Sequence, residues 1–247
     1  MRVLHILEAT AGGTRRHVLD LLPSLSRRGI ECSLIYSPLR NPDFEQDVVF
    51  LRTHGINTYS VPMTRGWETA TDMSALRSIH SIISKRTFDI IHAHSSKAGL
   101  LGRLAVVPRH KSTFIYTPHC IAFNTGLPRR QRQLARIAET LLAPVTDHYI
   151  AVSLPEKQAI LRAHLASSRK VHLIYNGVDA EQFDIALPVD AHGTFTIGCF
   201  GRLSRQKNQQ FALRLLYELR KHQKNIRLLL VGDGEIKQDL QQLSHQL

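Results

Sequence analysis

Two basic residues, Arg202 and Lys207, stand where an apolar run meets a helical pattern. The run, 195–200, is typical of a strand, and Gly201 follows it, where the missing Cβ allows backbone to approach a ligand closely. The unpaired N–H groups and the dipole of a helix start favour an anion. These features predict a diphosphate site. Two solvated cations on a surface turn are the alternative.

Glycines also precede the first predicted helix. Gly12 and Gly13 follow the apolar run 3–7 and form a short loop of the kind that accepts phosphate, with Thr14 available as the helix cap. The loop is not the G-x-G-x-x-G fingerprint, so neither NAD nor FAD is indicated. A tight turn without a ligand is the alternative interpretation.

Polar residues follow the fourth predicted strand, at the carboxyl end where a parallel sheet would bind a ligand. They are His94, Ser95, Ser96 and Lys97. We expect them to line a polar cleft and to cap the following helix. His92 and His94 would point to one face of the strand. A metal pair completed by His119 or Cys120 is an alternative, although the carboxylates and CxxC spacing of common sites are missing.

His119 comes just after the fifth predicted strand, behind Pro118. Proline restricts the turn, and a side chain at this place can face a cleft. A histidine there could hydrogen-bond a sugar hydroxyl or a phosphate, or act in proton transfer. An ordinary loop histidine is the alternative.

These residues depend on a regular alternation of short apolar runs with helical patterns. Strands are predicted at 3–7, 32–36, 58–61, 90–93, 113–117, 148–152 and 171–174. Helices are predicted at 14–28, 72–85, 97–106, 128–142 and 155–166. The alternation predicts an α/β fold in which crossover helices cover both faces of a parallel sheet.

A second alternation begins after a polar, irregular stretch. We expect a first Rossmann-like domain at 1–179, a linker at 180–194 and a partial second Rossmann-like domain at 195–247. The strand-helix-strand-helix unit of the second domain is too small to cover both faces of its own sheet. We therefore expect this domain to be truncated.

The formal charge of +12 calls for an anionic partner. Nucleic acid is disfavoured, because the basic stretches contain few aromatic residues and no zinc-finger spacing. No run reaches the roughly 18 apolar residues of a membrane span, and residues 3–7 are too short for a secretory signal. The three distant cysteines, Cys32, Cys120 and Cys199, are expected to be buried, reduced thiols of a cytoplasmic protein.

The predicted helix 128–142 is basic and amphipathic. Its arginines are Arg129, Arg130, Arg132 and Arg136, and its apolar residues are Leu134, Ile137, Leu141 and Leu142. Such a helix suits an anionic membrane surface, and a solvated helix face is the alternative. The hypothesis is a cytoplasmic protein in peripheral contact with the inner face of the cytoplasmic membrane through these arginines.

Seven segments, in matching order and spacing, resemble glycosyltransferase family 4, the retaining enzymes of GT-B architecture. They are Gly12-Gly13 with His17, FDIIHAHSSKAG at 88–99, YTPH at 116–119, AVS at 151–153, IYNGVD at 174–179, GRLSRQKN at 201–208 and LLLVGDGE at 228–235. The resemblance spans the chain and is strongest to bacterial capsule and exopolysaccharide glycosyltransferases.

The resemblance implies transfer of a hexose from a nucleotide sugar to a lipid-linked or polysaccharide acceptor during synthesis of a cell-surface polysaccharide. Arg202 and Lys207 would neutralise the donor diphosphate as it leaves. Gly12 and Gly13 would approach the same phosphates from across the cleft. His119 would act near the transferred sugar. The acceptor, lipid-linked or an oligosaccharide, would bind the first domain, and the nucleotide sugar would bind the partial second domain at 195–247. Neither a metal nor another cofactor is expected.

Alternative functions remain open at the level of the sequence. The family carries two glutamates seven residues apart late in its second domain, and no such pair occurs here. We therefore expect little turnover from this chain itself. A catalytically inactive remnant that binds an acceptor or a membrane is the alternative. A nucleotide-sugar epimerase is a weaker one, because further carboxylates at strand ends are missing.

Overall fold

A computed structural model of the protein describes residues 1–107, 111–124, 128–179 and 193–247. The chain divides near residue 182 into two compact units. The division falls within the predicted linker, 180–194, most of which lies outside the described residues. Among the described residues, no helix is both long enough and apolar enough to cross a membrane.

In the described part of the first unit, parallel strands form one sheet. They are β1 (Arg2–Leu7), β2 (Glu31–Tyr36), β3 (Asn57–Ser60), β4 (Ile90–His94), β5 (Thr113–Thr117), β6 (His148–Ala151) and β7 (Val171–Leu173). Their order across the sheet is β3-β2-β1-β4-β5-β6-β7. The predicted α/β class with a parallel, Rossmann-like sheet is therefore confirmed, and each strand lies within two residues of its predicted bounds.

Helices cover both faces of this sheet. They are α1 (Gly12–Arg27), α2 (Phe44–Thr53), α3 (Thr69–Lys85), α4 (Ser96–Val106), α5 (Arg129–Leu142) and α6 (Leu154–Arg162). Helix α2 was not among the helices predicted from the sequence. Its buried residues, Phe44, Val48 and Leu51, lie on one helical face. The spacing of these apolar residues could have predicted the helix from the sequence.

The core of the first unit has two layers. On one side of the sheet, Val18 and Leu22 of α1 pack with Phe44 and Val48 of α2. On the other side, residues of α3, α4 and α6 pack against Leu4 and other strand residues. Strands β1, β2 and β4 are nearly continuously buried because both of their faces are covered.

The second unit contains β8 (Phe195–Phe200), α7 (Gln209–Arg220), β9 (Ile226–Val231) and α8 (Lys237–Gln246). β8 and β9 pair in parallel. The small core of the unit consists of Leu203, Leu213, Ile236 and Leu240. The opposite side of the strand pair leaves Phe200, Leu229 and Val231 exposed. Among the described residues of this unit, therefore, the helices cover one face of the sheet.

The cysteines differ in their surroundings. Cys32 is buried and Cys199 is half-buried, whereas Cys120 is exposed. The prediction of three buried thiols is therefore wrong for Cys120. This residue lies in a bend just after the carboxyl end of β5.

Candidate functional site

Five histidines meet near the carboxyl ends of β1, β4 and β5, and we call them the histidine cluster. Its members are His5, His17, His92, His94 and His119. His5 pairs in register with His92 on the neighbouring strand, and Leu7 pairs with His94. α1 contributes His17, and the turn after β5 contributes His119. Four of these residues were identified from the sequence. His5 was not, although a polar residue inside an apolar strand could have indicated its role.

Ring nitrogens connect three members of the cluster. His5 Nδ1 lies 3.0 Å from His94 Nε2, and His94 Nδ1 lies 3.2 Å from His119 Nε2. His17 approaches the cluster from the side, with its ring centroid 4.9 Å from that of His119. His94 therefore has both of its nitrogens engaged and links the buried end of the cluster to the end nearest solvent.

Burial keeps the cluster neutral. It lowers the pKa of His5 to about 3, with a smaller contribution from His17, and it lowers the pKa of His119 to about 3 in the same way. The pKa values of His92 and His94 are lowered well below their usual value, again mainly by burial. At neutral pH these side chains are therefore hydrogen-bonding or ligating imidazoles rather than cations.

The backbone beside the cluster adopts two uncommon conformations. His119 has φ of 55° and Ser95 has φ of 81°, in a region that side chains other than glycine rarely occupy. Ser95 caps α4, because its Oγ accepts a hydrogen bond from the Ala98 N–H, as predicted. The same Oγ donates to Glu8 Oε2, and Glu8 is also paired with Arg40. Such backbone strain is found preferentially at functional sites.

The glycine loop opens α1 directly. The helix begins at Gly12, which has φ of 64°, and its N-cap, Ala11, makes no side-chain capping hydrogen bond. Thr14 therefore lies inside the first turn, and the prediction that it caps the helix is wrong. Gly12 and Gly13 are exposed. The first-turn amides thus lack a side-chain cap and can face an anion.

Ser96 and Lys97 lie elsewhere. Both line a cavity of about 460 Å³, together with the side chain of Trp67, and neither His94 nor Ser95 lines it. Lys97 is buried, and its Nζ lies 2.7 Å from each carboxylate oxygen of Asp72. The residues predicted to share one cleft are therefore divided between two places, and the charge of Lys97 is already compensated.

In the second unit, Arg202 and Lys207 lie on the connection between β8 and α7. Both are exposed. Lys207 ends a short 3₁₀ turn, Arg205–Lys207, and Asn208, with φ of 52°, lies between this turn and the start of α7. The first residue of that helix, Gln209, holds the connection, since its side-chain amide donates to the Arg202 carbonyl at 2.9 Å and accepts from the Ser204 N–H. The sequence analysis did not assign this role to Gln209.

The loop after β9 packs against this connection. Gly232 has φ of 148°, and a Cβ there would lie 2.0 Å from the carbonyl oxygen of Gly201. Gly234 has φ of 155°, and a Cβ there would lie 2.2 Å from the Leu203 carbonyl oxygen. The Leu203 N–H also donates to the Asp233 carbonyl. Two glycines therefore let the loops after β8 and β9 interlock and fix the backbone that presents Arg202.

The parallel sheets carry polar residues at their carboxyl edges, which is where open α/β folds bind their ligands. Residues 11–182 match the model of Glycosyltransferase Family 4, and the chain belongs to this family. It is 27% identical over 198 residues to a UDP-Gal:alpha-D-GlcNAc-diphosphoundecaprenol alpha-1,3-galactosyltransferase of Escherichia coli, covering 75% of this chain and 51% of that protein.

Two further comparisons agree. A capsular polysaccharide biosynthesis glycosyltransferase, CapM of Staphylococcus aureus, is 24% identical over 191 residues, covering 73% of this chain and 50% of that protein. The apo structure of a lipopolysaccharide outer core galactosyltransferase superposes with a TM-score of 0.71 at 16% identity, covering 100% of this chain and 65% of that one. This likeness confirms the GT-B class of fold. The chain spans about half the length of the curated relatives it matches.

Proposed function

We propose that this chain carries donor- and acceptor-binding parts of a retaining glycosyltransferase that moves a hexose from a nucleotide sugar to a lipid-linked or polysaccharide acceptor. The product would be a bacterial cell-surface polysaccharide such as a capsule. The observation that carries the proposal is the pair of exposed cations, Arg202 and Lys207, on a backbone that Gln209 and two glycines fix. The name of the Escherichia coli relative, with its UDP-sugar donor and diphosphoundecaprenol acceptor, supports this choice.

In the second unit, the two cations would act on the donor diphosphate. Cleavage of the bond between sugar and diphosphate leaves additional negative charge on the nucleotide. Cations already held in position stabilise this charge more in the transition state than in the ground state. We propose that Arg202 and Lys207 supply this stabilisation, without a requirement for a divalent metal in the transfer step.

In the first unit, His119 and the glycine loop would act through hydrogen bonds. A neutral His119 can donate to or accept from a sugar hydroxyl, and its contact with His94 fixes the ring. The exposed amides at the start of α1 can approach a phosphate. We propose His17, His94 and Ser95 as neighbours of the acceptor; Ser96 and Lys97, which line a separate cavity, are not part of this proposal.

The outer face of α5 supports peripheral contact with an anionic membrane. Its apolar residues Leu134, Ile137 and Leu141 are 59%, 55% and 72% exposed. Its arginines, Arg129, Arg130, Arg132 and Arg136, are exposed on the same helix. Leu142, predicted for this apolar face, is buried instead. We propose that α5 rests on the inner face of the cytoplasmic membrane, with its apolar side chains in the interface and its arginines near lipid phosphates.

The test of α5 uses vesicles. Sedimentation with phosphatidylglycerol vesicles should capture the chain at low salt, whereas phosphatidylcholine vesicles should not. Ile137→Ser together with Leu141→Ser should reduce the captured fraction, and Leu39→Ser, an exposed leucine elsewhere in the first unit, should leave it unchanged. Equal capture by both kinds of vesicle would contradict the proposal.

The test of the transfer activity uses radiolabelled nucleotide sugars and a polyprenyl-diphosphate-linked sugar as acceptor. We propose that this chain by itself turns over slowly, so the assay uses excess protein; the label that moves into the lipid fraction should do so with retention of the anomeric configuration. Arg202→Ala and Lys207→Ala should abolish transfer, whereas Arg205→Ala, which removes a neighbouring exposed cation, should preserve most of it. The alternative, a module without turnover, predicts vesicle binding and no transfer with any donor.

A further inference from the structure

We propose that His17, His94 and His119 form a binding site for a divalent transition metal such as Zn²⁺. One ring nitrogen from each lies within 4.8 Å of the other two. A tetrahedral Zn²⁺ bound at about 2.0–2.1 Å needs ligand nitrogens about 3.4 Å apart. His94 Nδ1 and His119 Nε2 are already 3.2 Å apart. A shift of His17 by up to about 1.4 Å would complete three ligands, and a water molecule would take the fourth position.

A neighbouring imidazole supports His94 as a ligand. Metal-bound histidines usually donate a hydrogen bond from the nitrogen that does not bind the metal, which fixes the tautomer. His94 Nε2 lies 3.0 Å from His5 Nδ1, so it can carry the proton and donate to His5. His119 can likewise carry its proton on Nδ1. Both facing nitrogens are then unprotonated at once, and no proton has to leave the cluster.

The surroundings select the class of metal and the route of entry. Three imidazoles without a carboxylate suit Zn²⁺, Cu²⁺ or Ni²⁺ and do not suit Mg²⁺, which prefers oxygen ligands. Burial favours the neutral form of all three rings, which is the form that binds metals. His17 and His119 are half-buried, so an ion can reach them from solvent. A second possible group, His5, His92 and His94, is wholly buried.

This site would place a dication on a residue proposed to contact the transferred sugar. Metal binding would therefore compete with that contact, and the inference concerns binding rather than transfer. It stands or falls independently of the proposed activity, because metal affinity is measured without any substrate.

The experiment titrates Co²⁺ into the untagged, chelator-treated chain and records the visible absorption of cobalt. We expect the spectrum of a tetrahedral site that one equivalent of Zn²⁺ removes and an equal concentration of Mg²⁺ leaves intact. His17→Gln and His119→Gln should each weaken binding by more than about tenfold. Circular dichroism of each variant provides the check of folding, and His17, on a half-buried face of α1, is the gentler change.

The matched control is His172→Gln. His172 forms an exposed pair with His148, whose ring nitrogen lies 3.1 Å away, and this pair is the competing surface site. We expect the control to keep the affinity and spectrum of the parent chain. Unchanged affinity in both His17→Gln and His119→Gln, or loss of binding in His172→Gln, would overturn the proposal.

Discussion

Acidification should destabilise the first unit through the histidine cluster, and His5 allows the effect to be isolated. Its pKa is about 3 in the folded chain, against an ordinary value of 6.5. Between these values the unfolded chain binds a proton that the folded chain does not bind. The free energy of unfolding therefore falls as the pH falls. The loss is about 1.4 kcal/mol per pH unit, or about 2 kcal/mol between pH 6.5 and pH 5 for one such histidine.

His5→Asn removes this titrating group and retains a side chain that can hydrogen-bond to His94. The variant should be less stable than the parent at pH 7, because the buried packing is altered. Its further loss of stability between pH 7 and pH 5 should nevertheless be about 2 kcal/mol smaller than that of the parent. The other members of the cluster continue to contribute, so the pH dependence should be reduced and not abolished.

Urea unfolding at pH 7, 6 and 5, with a chelator present, measures the difference. Trp67, the single tryptophan, lies in the first unit, and its fluorescence reports the unfolding of that unit. His172→Gln changes an exposed histidine of the same unit and provides the control. Identical pH dependence in His5→Asn and the parent chain would refute the assignment of a depressed pKa to His5.

Two packing predictions for the first unit can be checked by the same urea titrations, and a third, for the second unit, can be checked by circular dichroism and thermal melting. Gly99→Ala should lower the free energy of unfolding by about 1–3 kcal/mol, because the new Cβ would lie 2.4 Å from the ring of Tyr116. An unchanged urea midpoint would contradict the packing of α4 against this ring. Glu139→Gln should lower the free energy of unfolding by about 3–5 kcal/mol, because it leaves the buried Arg103 without its charged partner. A loss below about 1 kcal/mol, roughly the value of a surface ion pair, would contradict the burial of this pair. Gly232→Ala should unfold or loosen the second unit, because the Cβ would meet the Gly201 carbonyl; native-like circular dichroism and an unchanged melting temperature would contradict the interlocked loops.

The sequence predicted the strands well because a parallel sheet covered on both faces requires continuous apolar runs. Val3, Leu4, Ile6 and Leu7 form such a run, and all are buried. The positions just after these strands were also predictable, since the carboxyl ends of parallel strands meet at one edge. This is why His94 and His119, 25 residues apart, were expected near one another and lie in contact.

What the sequence could not predict depends on pairing between distant segments. Lys97 looked like a free cation, but Asp72 of α3 neutralises it. His5 had no apparent role until the register of β1 and β4 set it opposite His92. Gln209 looked like an ordinary helix residue, although its amide fixes the Arg202 backbone. Each case follows from the three-dimensional register of elements, which local residue patterns do not contain.

The affinity of the chain for a nucleoside diphosphate tests the central claim most directly. Isothermal titration with UDP should show that Arg202→Ala and Lys207→Ala each weaken binding by about tenfold or more, as expected for the loss of a charge-assisted hydrogen bond. Arg205→Ala, within the same exposed turn, should bind UDP as the parent does. Equal affinities in all four chains, or a loss in Arg205→Ala as large as that in Lys207→Ala, would contradict a diphosphate site at the start of α7.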